Sequence, residues 1–219
     1  MNDLGAPLTS ITLDDVRAAL TLEGFDACEA QLRMAPQPRV LRRPSNRPGQ
    51  PHQASVIVLL SPGEDGLSFP LIVRAENPAD VHSGQISLPG GSREPGESPL
   101  DTALREASEE LGAERGIEVL GELTPIYIPP SDFEVSPFVG WLQAPPPWRP
   151  QPGEVVKVLT TPLAWLFDAG RKHVGDWEFN GYTLRVPWYD VAGYRVWGAT
   201  AILLSELEQR LRHALIGQA

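Results

Sequence analysis

The segment that most narrows what this chain can fold into runs from Leu88 to Ala113, LPGGSREPGESPLDTALREASEELGA. A double glycine, Gly90 and Gly91, opens it, and a helix start signal follows Glu97. Ser98 suits the cap, Pro99 the first helical position, and Asp101 the place of a capping-box acid. Gly112 then suits a left-handed C-terminal cap. At about 100° per residue, Leu100, Ala103, Leu104, Ala107 and Leu111 share one face of the predicted helix, and Arg105, Glu106, Glu109 and Glu110 share the other. One side is built for a core and the other is stacked with carboxylates.

The acidic side works against the helix that carries it. Glu106 and Glu110 are i,i+4 neighbours, and like charges at that spacing cost a few tenths of a kcal/mol. A divalent cation reverses that sign. Mg²⁺ and Mn²⁺ prefer carboxylate oxygen and leave positions free for substrate phosphates. A glycine-rich loop entering a helix also presents backbone N–H groups to an anion. Loop plus acidic helix reads as a site for a metal and a phosphorylated substrate, whereas an acidic face taken alone reads as ordinary solvated surface.

The full spacing separates these readings. Gly91, Glu97 and the run Arg105-Glu106-Ala107-Ser108-Glu109-Glu110-Leu111-Gly112-Ala113 resemble the Nudix box, Gx5Ex7REUxEExGU. Every fixed residue is present, and Ala107 and Ala113 fill the aliphatic positions. The resemblance implies an α/β/α sandwich with a mixed β-sheet and hydrolysis of a nucleoside diphosphate linked to a further group. It implies Mg²⁺ or Mn²⁺ held by Glu106, Glu109 and Glu110 with a loop carbonyl near Gly90. Arg105 would orient the glutamates, and Gly91, Glu97 and Gly112 would be structural. The catalytic group would be Glu109, Glu110 and Arg105, with the general base Glu109 or a loop carboxylate, Glu134 or Glu154.

Three more segments bear on the substrate. His82-Ser83-Gly84-Gln85-Ile86-Ser87-Leu88-Pro89-Gly90-Gly91 resembles the signature before the box in coenzyme A pyrophosphatases of this superfamily. Tyr127 to Gly140 is similar to that family's YxxPSxFxVxPxVG segment, and Tyr194 to Ala201 to its IWGATA segment. Leu88, Asp80 and Ile72 depart from the usual Phe, Arg and Thr. The resemblance implies a small-molecule substrate, coenzyme A or a related nucleoside diphosphate, met by Arg74, His82, Gln85, Ser131 and Phe133. A hydrolase of ADP-ribose or of (d)NTPs would need only the box. A non-catalytic sensor would usually lose box glutamates, and none is lost here. Trp197 reads as a core aromatic and His82 as a hydrogen-bonded loop residue or a phosphate contact.

With a net charge of −10, the 219-residue chain is not built as a broad nucleic-acid surface. It has no apolar run long enough for a membrane helix. The single cysteine, Cys28, forms no internal disulfide, fits a cytoplasmic location and reads as inert. The state expected is a monomer or homodimer. Residues 1–53 read as a helical and Pro/Arg-rich extension packed on a domain spanning 54–219. Within it, Arg39, Arg42, Arg43 and Arg47 read as an exposed linker, or alternatively as a basic arm for a second phosphate.

Helices are expected over about 14–22, 26–34, 162–169 and 199–214 besides the box helix. Strands are expected over 54–60, 69–74, 86–88, 117–123, 124–128, 138–142 and 155–160. A hairpin is expected through Asn180-Gly181, joining 177–179 to 182–186.

Overall fold

The computed structural model describes residues 11–38, 43, 47–76, 84–179 and 181–216. Helix α1 spans Leu13–Leu20, and Thr12 and Asp15 close a reciprocal capping box at its start. Helix α2, Ala27–Leu32, is capped by Asp26. Strands β1 (His52–Gly63) and β2 (Gly66–Arg74) form a hairpin, and the short β3 (Ile86–Ser87) and β4 (Gly90–Ser92) lead into α3, Pro99–Leu111. The cap of α3 forms as its sequence dictates: Ser98 accepts from the Asp101 N–H, Asp101 accepts from the Ser98 N–H, and Gly112 ends the helix at φ 73°.

Strands β5 (Glu118–Glu122), β6 (Ile126–Ile128), β7 (Phe133–Trp141) and β8 (Val155–Pro162) follow. The short helix expected over 162–169 forms as a 3₁₀ helix, Leu163–Phe167, and a second 3₁₀ turn, Ala169–Arg171, follows it. Strands β9 (Lys172–Phe179), β10 (Tyr182–Val191) and β11 (Tyr194–Trp197) and helix α4 (Gly198–Ile216) complete the chain. Asn180, half of the expected hairpin turn, lies outside the described residues, but the strands on either side pair antiparallel.

Among the described residues, β1–β8 form one sheet with the path β3-β2-β1-β7-β5, and β9–β11 form a second. The large sheet is mixed: β1 runs parallel to β7 and antiparallel to β2 and β4. Alternation along β1 divides the core between its faces. Ile57 and Leu59 pack with Ala103, Ala107 and Leu111 of α3. Val58 and Leu60 pack with α4 and, through Val16 and Ala19, with α1. The sheet is covered on both sides, as expected of the sandwich.

Strand β7 begins five residues earlier than its apolar pattern suggests. Pro137 falls between the stretch paired with β6, Phe133 to Val135, and the stretch paired with β5, Phe138 to Trp141. No ladder donor is needed from it there, so the proline sits inside a long strand without breaking it.

Helix α4 has buried residues around most of its circumference. Glu206 accepts from Gln31, from Thr124 and from Arg210. Glu208 accepts from Lys172, Tyr189 and Arg212. Both carboxylates are buried and fully partnered, which is what makes their burial tolerable.

The end of α3 is also held from outside. Arg149 donates its N–H to the Leu111 carbonyl and Gln151 donates to the Glu110 carbonyl, satisfying acceptors that a helix terminus leaves open. Trp148 packs into the α3 core beside them.

Candidate active site

The glycines act through close approach. Gly90 pairs with Val56 of β1 at φ 151°, and a Cβ there would lie 2.3 Å from the Ser55 carbonyl oxygen and 2.6 Å from Val56 Cα. A Cβ on Gly91 would lie 2.4 Å from Glu106 Oε1. Gly90 lets the loop lie on β1, and Gly91 lets the Glu106 carboxylate lie on the loop.

Arg105 organises the acidic face with all five of its N–H groups. Nε donates to Glu97 at 2.7 Å, and Nη1 donates to both Glu106 (2.9 Å) and Glu109 (3.0 Å). Nη2 donates to the Ser92 carbonyl at 3.0 Å and again to Glu97 at 3.2 Å. Glu97 also accepts from the Glu94 N–H and the Thr102 hydroxyl. Arg105 first, then the Glu94 N–H, holds its carboxyl at about 2, below its ordinary 4.5.

A depressed carboxyl stabilises the fold in full above its unfolded value, and the contribution is lost as pH falls through the folded one. Part of the stability should therefore disappear between pH 4.5 and 2, in the window of Glu97. Thermal unfolding measured across that window should depend less steeply on pH in Glu97→Gln than in the unsubstituted chain. Arg105→Lys keeps the charge and loses the fork. It should lower turnover about 10-fold to 100-fold, the range for residues that orient metal ligands, with weaker metal affinity by calorimetry.

Glu110 is 2% exposed and accepts the Gly90 N–H at 2.8 Å. Burial, then the charge of Glu106, pushes its carboxyl up to about 8 against the pull of the Gly90 N–H and Arg74. Burial also raises Glu106, against the opposing Arg105. Glu109 is about half exposed. Among the described residues no three acidic, His or Cys side chains already converge as a metal cage. Glu106 and Glu109 turn to Arg105 while Glu110 turns to Gly90. The donor set is nonetheless all carboxylate oxygen, and its buried members are costly to ionise without a cation, which fits a hard divalent ion.

The expected substrate residues fall on two flanks. Arg74 donates its N–H to the Gln85 carbonyl at the paired ends of β2 and β3, and the charges of Arg74 and Glu154 reach Glu110. Glu154 acts on Glu106 as well. On the other flank, Ser131, Phe133 and Glu134 lie where β7 begins beside β1, and Glu134 accepts from Gln53. His82 lies outside the described residues, as do Arg39 and Arg42. Gly90 meets Glu110 through its N–H. Trp197 is half-buried and edge-on to Trp177, in the second sheet and outside the main core.

Arg43 and Arg47 correct the linker reading. Arg43 forks onto Asp132 at 2.7 and 2.9 Å, and Arg47 donates to the Tyr127 hydroxyl and the Pro129 carbonyl. Asp132 was not singled out by sequence, because its arginine partners are more than 80 residues away and no local pattern links them. Arg43 first, then Tyr127 among the groups that lower it, holds its carboxyl at about 2.

A capped helix, entered from a double glycine and presenting carboxylates beside a mixed sheet, is the arrangement that the box motif implied. The NUDIX domain family model matches residues 51–179, and the chain belongs to the NUDIX family. Over 130 residues it is 39% identical to the uncharacterized Nudix hydrolase NudL of Salmonella paratyphi B, and equally to that of Salmonella newport. The match covers 58% of this chain and 66% of each relative, just under two thirds of its length.

Among solved structures, the NUDIX domain of Shewanella oneidensis NrtR, in complex with ADP ribose, is similar at TM-score 0.51 and 19% identity. That likeness covers 78% of this chain and 94% of that one. A MutT/nudix family protein from Enterococcus faecalis is similar at TM-score 0.51 and 16% identity, covering 93% and 75%. These two likenesses establish the fold. Among the described residues no helix is long and apolar enough to cross a membrane.

Proposed function

We propose that the chain hydrolyses the diphosphate of coenzyme A, or of an acyl-coenzyme A, to 4′-phosphopantetheine and adenosine 3′,5′-bisphosphate. The observation that carries the reading is placement. The charge of Arg74, whose backbone N–H donates to the Gln85 carbonyl, reaches Glu110 on one flank. Ser131 and Phe133, of the segment similar to coenzyme A pyrophosphatases, lie at the start of β7 beside β1, which supports the reading.

Glu106, Glu109 and Glu110, with a loop carbonyl near Gly90, would hold Mg²⁺ or Mn²⁺. When bound, the ion supplies charge neutralisation on the diphosphate and a water of lowered pKa. Arg105 orients Glu106 and Glu109, and Gly90 holds Glu110 in place. A carboxylate takes the proton of the attacking water as the new P–O bond forms and the bridging P–O bond breaks. Glu154 is the loop carboxylate whose charge reaches both Glu106 and Glu110, and it is our choice over Glu109 and Glu134. Arg74 meets the substrate's negative charge. Within the expected extension, helices α1 and α2 pack against α4.

Mass spectrometry of products from coenzyme A, ADP-ribose and dNTPs, each with Mg²⁺ or Mn²⁺, tests the reading. Phosphopantetheine appearing fastest is the expected result. Faster cleavage of ADP-ribose or a dNTP would overturn the coenzyme A assignment and leave the box chemistry standing.

A further inference from the structure

The loop Pro129 to Asp132, which joins β6 to β7, carries more restraint than a surface turn requires. Asp132 sits at φ 57°, a left-handed backbone that costs a non-glycine residue free energy unless its surroundings enforce it. Its side-chain and backbone partners enforce it. The Asp132 carboxylate receives the Arg43 fork and the Tyr127 hydroxyl, the latter at 3.0 Å, and pairs with Arg47 at 3.4 Å. Its carbonyl accepts the His52 N–H at the start of β1. The remaining donors of Arg43 go to the carbonyls of Arg47, Pro48 and Gly49, so its guanidinium has no N–H left for a phosphate. The neighbouring Ser131 is the opposite case: its Oγ is buried and has no hydrogen-bond partner. A polar atom left unsatisfied beside so fixed a loop needs an account.

We propose that Arg43, Arg47, Tyr127 and Asp132 form a clamp that holds the backbone of the Pro129–Glu134 segment as a preset wall of the substrate site, in which the partly exposed Ser131 rotates its unpartnered Oγ outward to contact the nucleoside diphosphate substrate. This rests on the hydrolase reading above. Arg43 and Asp132 are positioning residues, and Ser131 is the contact. The clamp orders the wall before substrate arrives, so its loss acts on binding. It also reassigns Arg43 and Arg47, from a basic arm for a second phosphate to an internal anchor that leaves recognition to the neighbouring Ser131.

Steady-state kinetics of the full chain with coenzyme A and with ADP-ribose tests this. Asp132→Ala should raise KM about tenfold while kcat stays within about threefold, the signature of lost binding shared by ground and transition states. Asp132→Gly relieves the left-handed backbone and still lacks the carboxylate, and it should show the same rise in KM. Asp132→Asn tolerates that backbone and keeps an acceptor, and it should recover part of the loss. Ser131→Ala, with the clamp intact, should raise KM at an unchanged Tm. If the unsubstituted chain cleaves a diphosphate but Asp132→Gly and Ser131→Ala keep its KM, the clamp is refuted alone. If kcat falls and KM does not move, Asp132 belongs to the chemistry and the clamp is refuted. If the unsubstituted chain cleaves no diphosphate, the hydrolase reading falls and the clamp's role falls with it.

Discussion

Glu110→Gln should lower turnover about 10³-fold, or about 4 kcal/mol of transition-state stabilisation, and leave Tm unchanged or slightly raised. The two effects separate because the residue's two relationships differ in charge. Toward Gly90 it needs only an acceptor, and an amide oxygen supplies one. Toward a divalent cation it needs a full negative charge. Its burial makes that charge costly, so a neutral isostere relieves the fold while disabling the site. Glu106→Gln should cost a similar factor, with a small loss of stability because Arg105 gives up a charged partner. Kinetics with metal titration, beside a thermal melt, measures both. Near-normal turnover with unchanged metal occupancy in either variant would defeat the metal assignment.

Gly90→Ala should be the most damaging single change to the fold near the site. Its Cβ would meet backbone atoms of Ser55 and Val56, which have no rotamer with which to yield, and its φ of 151° is foreign to alanine. Separation of β4 from β1 should cost about 3 kcal/mol or more, close to a 10 °C fall in Tm for a chain of this size. Gly91→Ala makes the contrast. Its Cβ meets the end of a glutamate side chain that is free to swing away. That variant should keep its Tm within about 2 °C and lose turnover, since Glu106 is displaced from Arg105. A Gly90→Ala protein with unchanged melting would contradict the packing of the loop on β1.

The box helix was legible because its determinants are local. Ser98, Pro99, Asp101 and Gly112 act within a few residues of themselves, and the spacing of Glu106, Glu109 and Glu110 is the helix period. Strand β4 was not legible, since Gly90–Ser92 has no side-chain pattern and its pairing is set by the backbone of β1. The early start of β7 was masked by Glu134 and Pro137, whose tolerance depends on where β6 ends and β5 begins. The buried carboxylates of α4 and the anchoring of Arg43 and Arg47 depend on partners brought from far along the chain. Sequence showed these charges without showing what they meet. Gln85 was found through the segment it belongs to, and the reach of the Arg74 charge to Glu110 needed the sheet.

The junction at the end of α3 has a mechanical consequence. The N–H groups of Arg149 and Gln151 bind the last carbonyls of the helix, Trp148 is seated in its core, and Glu154 follows three residues after Gln151. The acidic helix and the segment bearing Glu154 are riveted into one kinematic body. Breathing of the domain that carries one carries the other, so the separation of Glu154 from Glu106 and Glu110 is conserved through such motion.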